Sequence, residues 1–213
     1  MVPTSLVRLE LGLDQLQWSG NRDLLRAFLA ELDTWNPRLG LVSVNSPDDL
    51  VVRHVLDSLA AWKYLHSLGL GVPGRTLADL GSGAGFPGLP LALAFPTAVV
   101  TLIERMERRA NFLDATLLEL RLTHVSVQQK TFEEVKDRFD FVTFRAFSPL
   151  EPKLVKKLKR LLNPGGYLIA YKGRREVIEG ELRALGESGE KAVVVPVEVP
   201  FLEEERHLVV FAS

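Results

Sequence analysis

The sequence predicts an α/β fold: a mostly parallel sheet with a C-terminal antiparallel hairpin, preceded by a helical extension. Three observations predict it. Apolar residues recur at helical spacing before residue 70, short apolar runs then alternate with helical stretches, and two strand-like runs close the chain with no room for a helix between them. We therefore divide the chain into a helical extension, 1–70, which packs on an α/β domain, 71–213.

The helical extension contains two predicted helices. The first has apolar residues at helical spacing: Leu24, Leu25, Phe28, Leu29 and Leu32. The second begins at Ser46-Pro47-Asp48-Asp49, because serine caps helices, proline suits the first helical position and acids favour the positive helix N-terminus. This helix is expected to reach Ser67 and end at Gly69, a common C-terminal stop.

The α/β domain contains five predicted strands and three predicted helices before the closing hairpin. The strands are 76–80, 98–103, 125–128, 139–144 and 167–171. The helices are 89–95, 107–120 and 152–161. The runs 192–199 and 207–212 have an acidic turn between them and predict the antiparallel hairpin at the sheet edge.

Composition restricts the classes of function. The chain has no cysteine and four histidines, which excludes disulfides and thiolate metal sites, and we expect no metal. No signal peptide and no apolar stretch of roughly 20 residues is visible, so a cytoplasmic protein without membrane contact is expected. The net charge is −1, but residues 101–175 hold 16 Lys+Arg against 9 Asp+Glu, a balance that permits an RNA surface without establishing one.

A glycine-rich turn directly follows the first strand of the α/β domain and reads Asp79-Leu80-Gly81-Ser82-Gly83-Ala84-Gly85-Phe86-Pro87-Gly88. Glycines there let the backbone approach a ligand at the carboxyl end of a strand. The run Gly83–Gly88 matches a dinucleotide fingerprint. Against that reading, Asp79 would repel a pyrophosphate and suits the cationic amino-acid end of S-adenosylmethionine. Glu104, after the second strand, would accept hydrogen bonds from ribose hydroxyls of either cofactor. The residues alone favour S-adenosylmethionine.

Several separate blocks resemble one family, the bacterial RsmG (GidB) 16S rRNA guanine-N7 methyltransferases. They lie in the family's order between about residues 35 and 210. The blocks are Arg53–Leu59, Asp79–Pro90, Glu104 with Arg108, Arg109, Phe112 and Leu113, Arg145-Ala146-Phe147, Asn163–Gly166 leading to Tyr171-Lys172-Gly173, and Glu205–Val210.

The resemblance implies a class I, Rossmann-like methyltransferase fold with S-adenosylmethionine as cofactor. It also implies methyl transfer to guanine N7, an atom whose exposed lone pair needs no general base. The implied partner is 16S rRNA or a small-subunit precursor, and we expect a monomer.

Site residues follow from these motifs and from residue chemistry. The candidate catalytic residues are Arg145, His54, Asp57 and Lys172. The candidate cofactor-binding residues are Asp79, Gly81, Gly83, Phe86, Glu104, Phe132, Glu133 and Arg145. The candidate RNA-binding residues are Lys172, Arg174 and Arg206.

Each assignment has a plainer alternative. His54 and Asp57 share a helix face and would also serve interdomain hydrogen bonding, and the two phenylalanines would equally be core residues. Three other functions stay open: a methyltransferase of a small molecule or protein, a nicotinamide-dependent oxidoreductase, and a binding module without turnover.

Overall fold

The computed structural model describes residues 3–145 and 149–213, and the sheet within them has seven strands in the order β3-β2-β1-β4-β5-β7-β6. Strands β1 to β5 are parallel, and β7 runs antiparallel to both β5 and β6. The strands are β1 (Thr76–Leu80), β2 (Val99–Ile103), β3 (Val125–Gln128), β4 (Phe139–Arg145), β5 (Leu162–Lys172), β6 (Val193–Pro196) and β7 (His207–Ala212).

Ten α-helices surround or precede this sheet within the described residues. They are α1 (Pro3–Gln15), α2 (Arg22–Leu39), α3 (Pro47–Leu50), α4 (Asp57–Leu59), α5 (Trp62–Ser67), α6 (Gly88–Ala94), α7 (Glu107–Glu119), α8 (Pro152–Lys159), α9 (Arg175–Leu185) and α10 (Glu187–Glu190). None of the helices in 3–145 and 149–213 is long and apolar enough to cross a membrane.

The second predicted helix starts as expected but is not continuous. The Ser46 hydroxyl accepts the Asp49 N–H, which caps α3. The chain then widens into a π-helical segment, Val51–Leu56, where the Asp57 N–H bonds to the Val52 carbonyl five residues earlier. A turn at residues 60–61 separates α4 from α5. The prediction of one helix from Ser46 to Ser67 is therefore wrong in its continuity.

Two apolar clusters cover the two faces of the sheet. The first joins the N-terminal helices to one face, with Leu13 and Phe28 in the same cluster as Leu102 of β2. The second packs α8 and α9 on the opposite face, around Phe144 and Ile178. The helical extension and the sheet thus share one core, and this arrangement brings His54 and Asp57 to Arg145 at the carboxyl end of β4.

The mostly parallel sheet and the closing antiparallel strands confirm the predicted fold class. Strands β1 and β3 have the predicted bounds, but β5 begins five residues earlier than predicted. Helix α9 was assigned no structure from the sequence. The predicted helices 89–95, 107–120 and 152–161 correspond to α6, α7 and α8 with ends shifted by one or two residues.

Candidate active site

The glycine-rich loop leaves β1 at Leu80 and turns through residues that only glycine adopts freely. Gly81, Gly83 and Gly85 have φ of 67°, 58° and 95°. The N–H groups of Gly81 and Ser82 both donate to the Ile103 carbonyl, at 2.8 and 3.1 Å. The loop is therefore fixed against the end of β2.

Asp79 lies behind this loop rather than in front of it. Its side chain is fully buried and accepts hydrogen bonds from the Gly88 N–H and the Thr143 hydroxyl, both at 3.1 Å. Burial raises the pKa of Asp79 to about 6, although its hydrogen bonds lower it. Asp79 connects β1 to β4 and to the start of α6, and it does not line the cavity described below.

Glu104 has a similar internal role at the end of β2. One carboxylate oxygen accepts the Gly83 N–H at 2.9 Å and the other accepts the Met106 N–H at 2.8 Å. The residue is 3% exposed. It holds the glycine-rich loop against the segment that leads into α7, and each oxygen keeps a second lone pair for a ligand.

A cavity of about 700 Å³ opens in front of the loop, between the N-terminal extension and the carboxyl ends of β4 and β5. The predicted site residues that line it are His54, Asp57, Gly81, Gly83, Phe86, Arg145, Lys172 and Arg206. Its volume is in the range of small-molecule and cofactor sites.

Arg145, at the end of β4, is the centre of the polar contacts in this cavity. Its Nη1 donates to Asp57 Oδ2 at 2.9 Å and to the Arg53 carbonyl at 3.3 Å. Its Nη2 lies 3.2 Å from His54 Nδ1. The guanidinium also lies over the Phe86 ring, 5.6 Å from its centroid. Residues from the extension, the glycine-rich loop and β4 thus converge on one cation.

Asp57 carries a second arginine contact. Its Oδ1 accepts from Arg206 Nε at 3.0 Å, so one carboxylate, 4% exposed, lies between two guanidinium groups. Next to it, the buried Tyr171 hydroxyl donates to the Ser58 carbonyl at 3.1 Å. These contacts tie α4 to β5 and to the chain just before β7.

His54 is neutral in this environment. Burial of the imidazole and, after it, the positive charge of Arg145 lower its pKa from 6.5 to about 4. The imidazole lies against Phe86, with ring centroids 5.3 Å apart. In the neutral ring Nδ1 accepts from Arg145, which leaves the hydrogen on Nε2.

The remaining predicted site residues lie elsewhere or are already engaged. Lys172 lines the cavity but pairs with Glu181 of α9 at 2.8 Å. Arg174 is exposed at the start of α9 and is not among the residues that line the cavity. Phe132 packs against the second apolar cluster, and Glu133 pairs with Lys157 at 3.5 Å. Ala146 and Phe147 lie outside the described residues.

The residues that line the cavity without a role predicted from the sequence include Arg53, Arg109 and Tyr171. Each lies inside one of the blocks that carry the family resemblance. Their position in those blocks was the available signal, because nothing in their spacing places them at a cavity. Arg53 pairs with Glu204 at 2.6 Å.

The sheet order, the glycine-rich loop after β1 and the cavity at the carboxyl ends of the strands define the fold of class I S-adenosylmethionine-dependent methyltransferases. A methyltransferase from Aquifex aeolicus aligns with a TM-score of 0.54 at 22% identity, covering 79% of this chain and 94% of that one. Magnesium protoporphyrin IX methyltransferase from Synechocystis, solved with bound cofactor, aligns with a TM-score of 0.58 at 18% identity, covering 85% and 90%.

The sequence comparisons are more specific. Residues 21–209 match the GidB family, described as rRNA small subunit methyltransferase G. Ribosomal RNA small subunit methyltransferase G of Treponema pallidum is 41% identical over 191 residues, covering 87% of this chain and 82% of its own. The protein of that name from Xanthomonas euvesicatoria is 38% identical over 214 residues, covering 99% and 96%. The chain belongs to the rRNA small subunit methyltransferase G family.

Proposed function

We propose that this chain transfers a methyl group from S-adenosylmethionine to N7 of a guanine in small-subunit (16S) rRNA. Family membership supports the rRNA substrate. The observation that carries the proposal is the cluster around Arg145, because it presents fixed hydrogen-bond donors in a cavity bounded by the glycine-rich loop.

The cavity fits the cofactor. Gly81 and Gly83 leave backbone without side chains along its wall, at positive φ where a Cβ would be strained. Phe86 offers an apolar surface, and Glu104, directly behind Gly83, has free lone pairs. Gly81, Gly83, Phe86 and Glu104 would hold the cofactor, with Asp79 maintaining the loop. Phe132 and Glu133 are proposed for the adenine side. The cofactor supplies an activated methyl group on a sulfonium.

Two N–H donors of the Arg145 guanidinium have no partner among the described residues and can bind the guanine. Its Nη1 uses both hydrogens on Asp57 and the Arg53 carbonyl, and Nη2 uses one on His54. The Nε hydrogen and one Nη2 hydrogen remain. Guanine O6 and N7 are neighbouring acceptors, so donation to O6 fixes the base while N7 stays free to react.

No side chain of the cluster needs to remove a proton, because guanine N7 already has its lone pair. His54 is neutral and oriented by Arg145, so its Nε2 hydrogen is a second donor to the base. Asp57 holds Arg145 in place by its contact at 2.9 Å. These residues contribute by orientation and by excluding alternative poses of the base.

The direct test uses methyl-labelled S-adenosylmethionine with unmethylated small-subunit rRNA and with assembled small subunits. The labelled RNA is then mapped by the strand cleavage specific to N7-methylguanine. Label at one guanine is the expected result. Label on RNA without such cleavage would refute N7 as the acceptor. Cofactor binding without any labelled RNA would refute the rRNA substrate in favour of a small molecule or protein.

Arg145→Ala provides the matched variant for this assay. We expect no detectable methyl transfer from a folded protein, since the donors to the base are gone. Lys153→Ala, an exposed cation of α8 outside the cavity lining, should retain full turnover. Full turnover by Arg145→Ala would show that the cluster does not position the substrate.

A further inference from the structure

The segment between β2 and the first turn of α7 carries three arginines, Arg105, Arg108 and Arg109, which we call the arginine segment. We propose that these side chains bind phosphates of the RNA backbone beside the target guanine. The inference rests on the proposed function, since it concerns the same substrate, but it places the RNA on a part of the surface to which the sequence motifs assign no role.

The arginine segment borders the candidate active site. Arg109 lines the cavity, and its Nη1 would lie 3.9 Å from a Cβ built on Gly83. Arg105 and Arg108 are exposed. The exposed Met106, at 39%, lies between them in sequence. The three guanidinium groups thus extend from the cavity wall next to the glycine-rich loop out to solvent.

The three arginines form no ion pair with the described residues, unlike the other cations of the cavity. Four other cations line the cavity, and each pairs with a carboxylate: Arg53 with Glu204, Arg145 and Arg206 with Asp57, and Lys172 with Glu181. In contrast, Arg105, Arg108 and Arg109 have no hydrogen bond or ion pair from their side chains to any residue in 3–145 or 149–213.

Arg109 has a buried N–H group whose missing hydrogen bond costs folding free energy. Its Nε atom is buried and has no hydrogen-bond partner among the described residues. A buried donor on a charged group without a partner destabilises a protein unless a ligand satisfies it. An anion at the cavity wall beside Gly83 would pair with the Arg109 guanidinium through Nη1 and offset this cost.

RNA phosphate is the anion that this arrangement fits. A guanine that enters the cavity must leave its stack, and its flanking phosphates then cross the cavity mouth. Arginine binds phosphate through two parallel N–H donors, and unpaired arginines need no displacement of an internal acid. The lysines of α8 belong to a helix whose buried residues lie in the second apolar cluster, on the opposite face, and none of them lines the cavity.

The test measures the affinity of the protein for unmethylated small-subunit rRNA as a function of salt. Arg105→Ala/Arg108→Ala is compared with Lys153→Ala/Lys156→Ala, which removes the same charge from exposed positions on the other face. The slope of log K against log salt should become shallower by about 0.7 to 0.9 for each lost phosphate contact. We expect a change of roughly 1.5 for the arginine variant and no comparable change for the lysine control.

Arg109→Ala is measured in parallel for RNA affinity and for the dissociation constant of S-adenosylmethionine. We expect weaker RNA binding, a shallower salt slope and an unchanged cofactor constant. Loss of cofactor affinity with an unchanged RNA slope would overturn the proposal and assign Arg109 to the cofactor. An equal change in slope for both double variants would show a general charge effect instead. A wild-type protein that does not bind the rRNA would refute the proposed function itself.

Discussion

Replacing Asp57 with asparagine tests the contact that joins the N-terminal extension to the candidate active site. Asparagine keeps the shape of the side chain and removes its charge, which leaves Arg145 and Arg206 facing a neutral group. Removing one partner of a buried ion pair costs about 3 to 5 kcal/mol. The arginine side chains keep 17% and 23% exposure, so we expect the lower end, about 3 kcal/mol of unfolding free energy.

The rate of methyl transfer by Asp57→Asn should also fall, by more than the loss of folded protein explains. Asp57 fixes the guanidinium of Arg145, and a displacement of about 1 Å at a reacting centre costs roughly 100-fold in rate. The dissociation constant of S-adenosylmethionine should stay unchanged, since the Asp57 side chain hydrogen-bonds to Arg145 and Arg206 and not to the glycine-rich loop. Stability is measured by urea unfolding, and turnover at saturating cofactor with unmethylated rRNA.

A double variant distinguishes two causes of the expected destabilisation: the unbalanced charge of the arginines and the loss of hydrogen-bond contacts. Asp57→Asn/Arg206→Gln has one cation fewer, so its destabilisation should be smaller than the sum of the two single changes. Asp23→Asn serves as the control, because the Asp23 side chain is 91% exposed and its pair with Arg26 is worth less than about 1 kcal/mol. Wild-type stability in Asp57→Asn, or strict additivity in the double variant, would refute the reasoning.

Four further predictions concern stability. Gly88→Ala should cost about 1 to 3 kcal/mol, because a Cβ there would overlap a leucine side chain and lie 2.8 Å from Asp79 Oδ2. Gly180→Ala in α9 should stabilise the protein by about 0.5 to 1 kcal/mol, because no heavy atom lies within 4 Å of the new Cβ. Equal changes in the urea unfolding free energy of Gly88→Ala and Gly180→Ala would contradict both predictions. Asn21→Ala should cost about 1 kcal/mol, since the side chain caps α2, and an unchanged urea midpoint would argue against the cap. The pKa of His54 in the folded protein is lowered to about 4. The neutral imidazole therefore makes its full contribution to the free energy of unfolding above pH 6.5, and this contribution is lost as the pH falls towards 4. The variant His54→Gln lacks this titration but keeps that of Asp79, whose raised pKa makes stability change with pH in the opposite direction. The free energy of unfolding of His54→Gln should therefore fall less between pH 6.5 and 4 than that of the wild type. Parallel curves of unfolding free energy against pH would contradict the lowered pKa of His54.

The strands of the α/β domain could be predicted where local signals and tertiary pairing agree. Strand β1 is bounded by Gly74 before it and Gly81 after it, and its predicted ends are correct. Strand β5 was predicted too short, because Asn163–Gly166 has the composition of a turn. In the structure this segment is accommodated as a register shift, with Phe139 opposite Leu162 and Phe141 opposite Tyr167. Pairing with β4 outweighs local preference there.

Helix α9 shows a second kind of failure. Only Ile178 and Leu185 of this helix are fully buried, so the apolar spacing that announces a helix is sparse, and Gly180 weakens the helical signal further. Packing against the second cluster stabilises the helix instead.

The candidate site was predictable as a set of residues but not as an arrangement. His54 and Asp57 lie 91 and 88 positions before Arg145, and no spacing rule shows that three such residues meet. Asp79 and Glu104 were correctly placed at strand ends, but the direction of their side chains depends on the loop that covers them. The sequence identifies eight of the residues that line the cavity, and the packing of the extension on the sheet gives His54, Asp57 and Arg145 their contacts.

The π-helical segment Val51–Leu56 departs from regular α-helix where it forms part of the cavity wall. Its hydrogen bonds span five residues, so the backbone here accommodates one residue more than a regular α-helix of the same length. That surplus residue sets the phase between Arg53 and His54 within the segment and Asp57 just after it. Deletion of one residue from the segment should restore regular α-helix and turn the side chain of His54 or Asp57 away from Arg145. The π-helical segment therefore sets the spacing of these residues, and its length contributes to the candidate active site together with the side chains it carries.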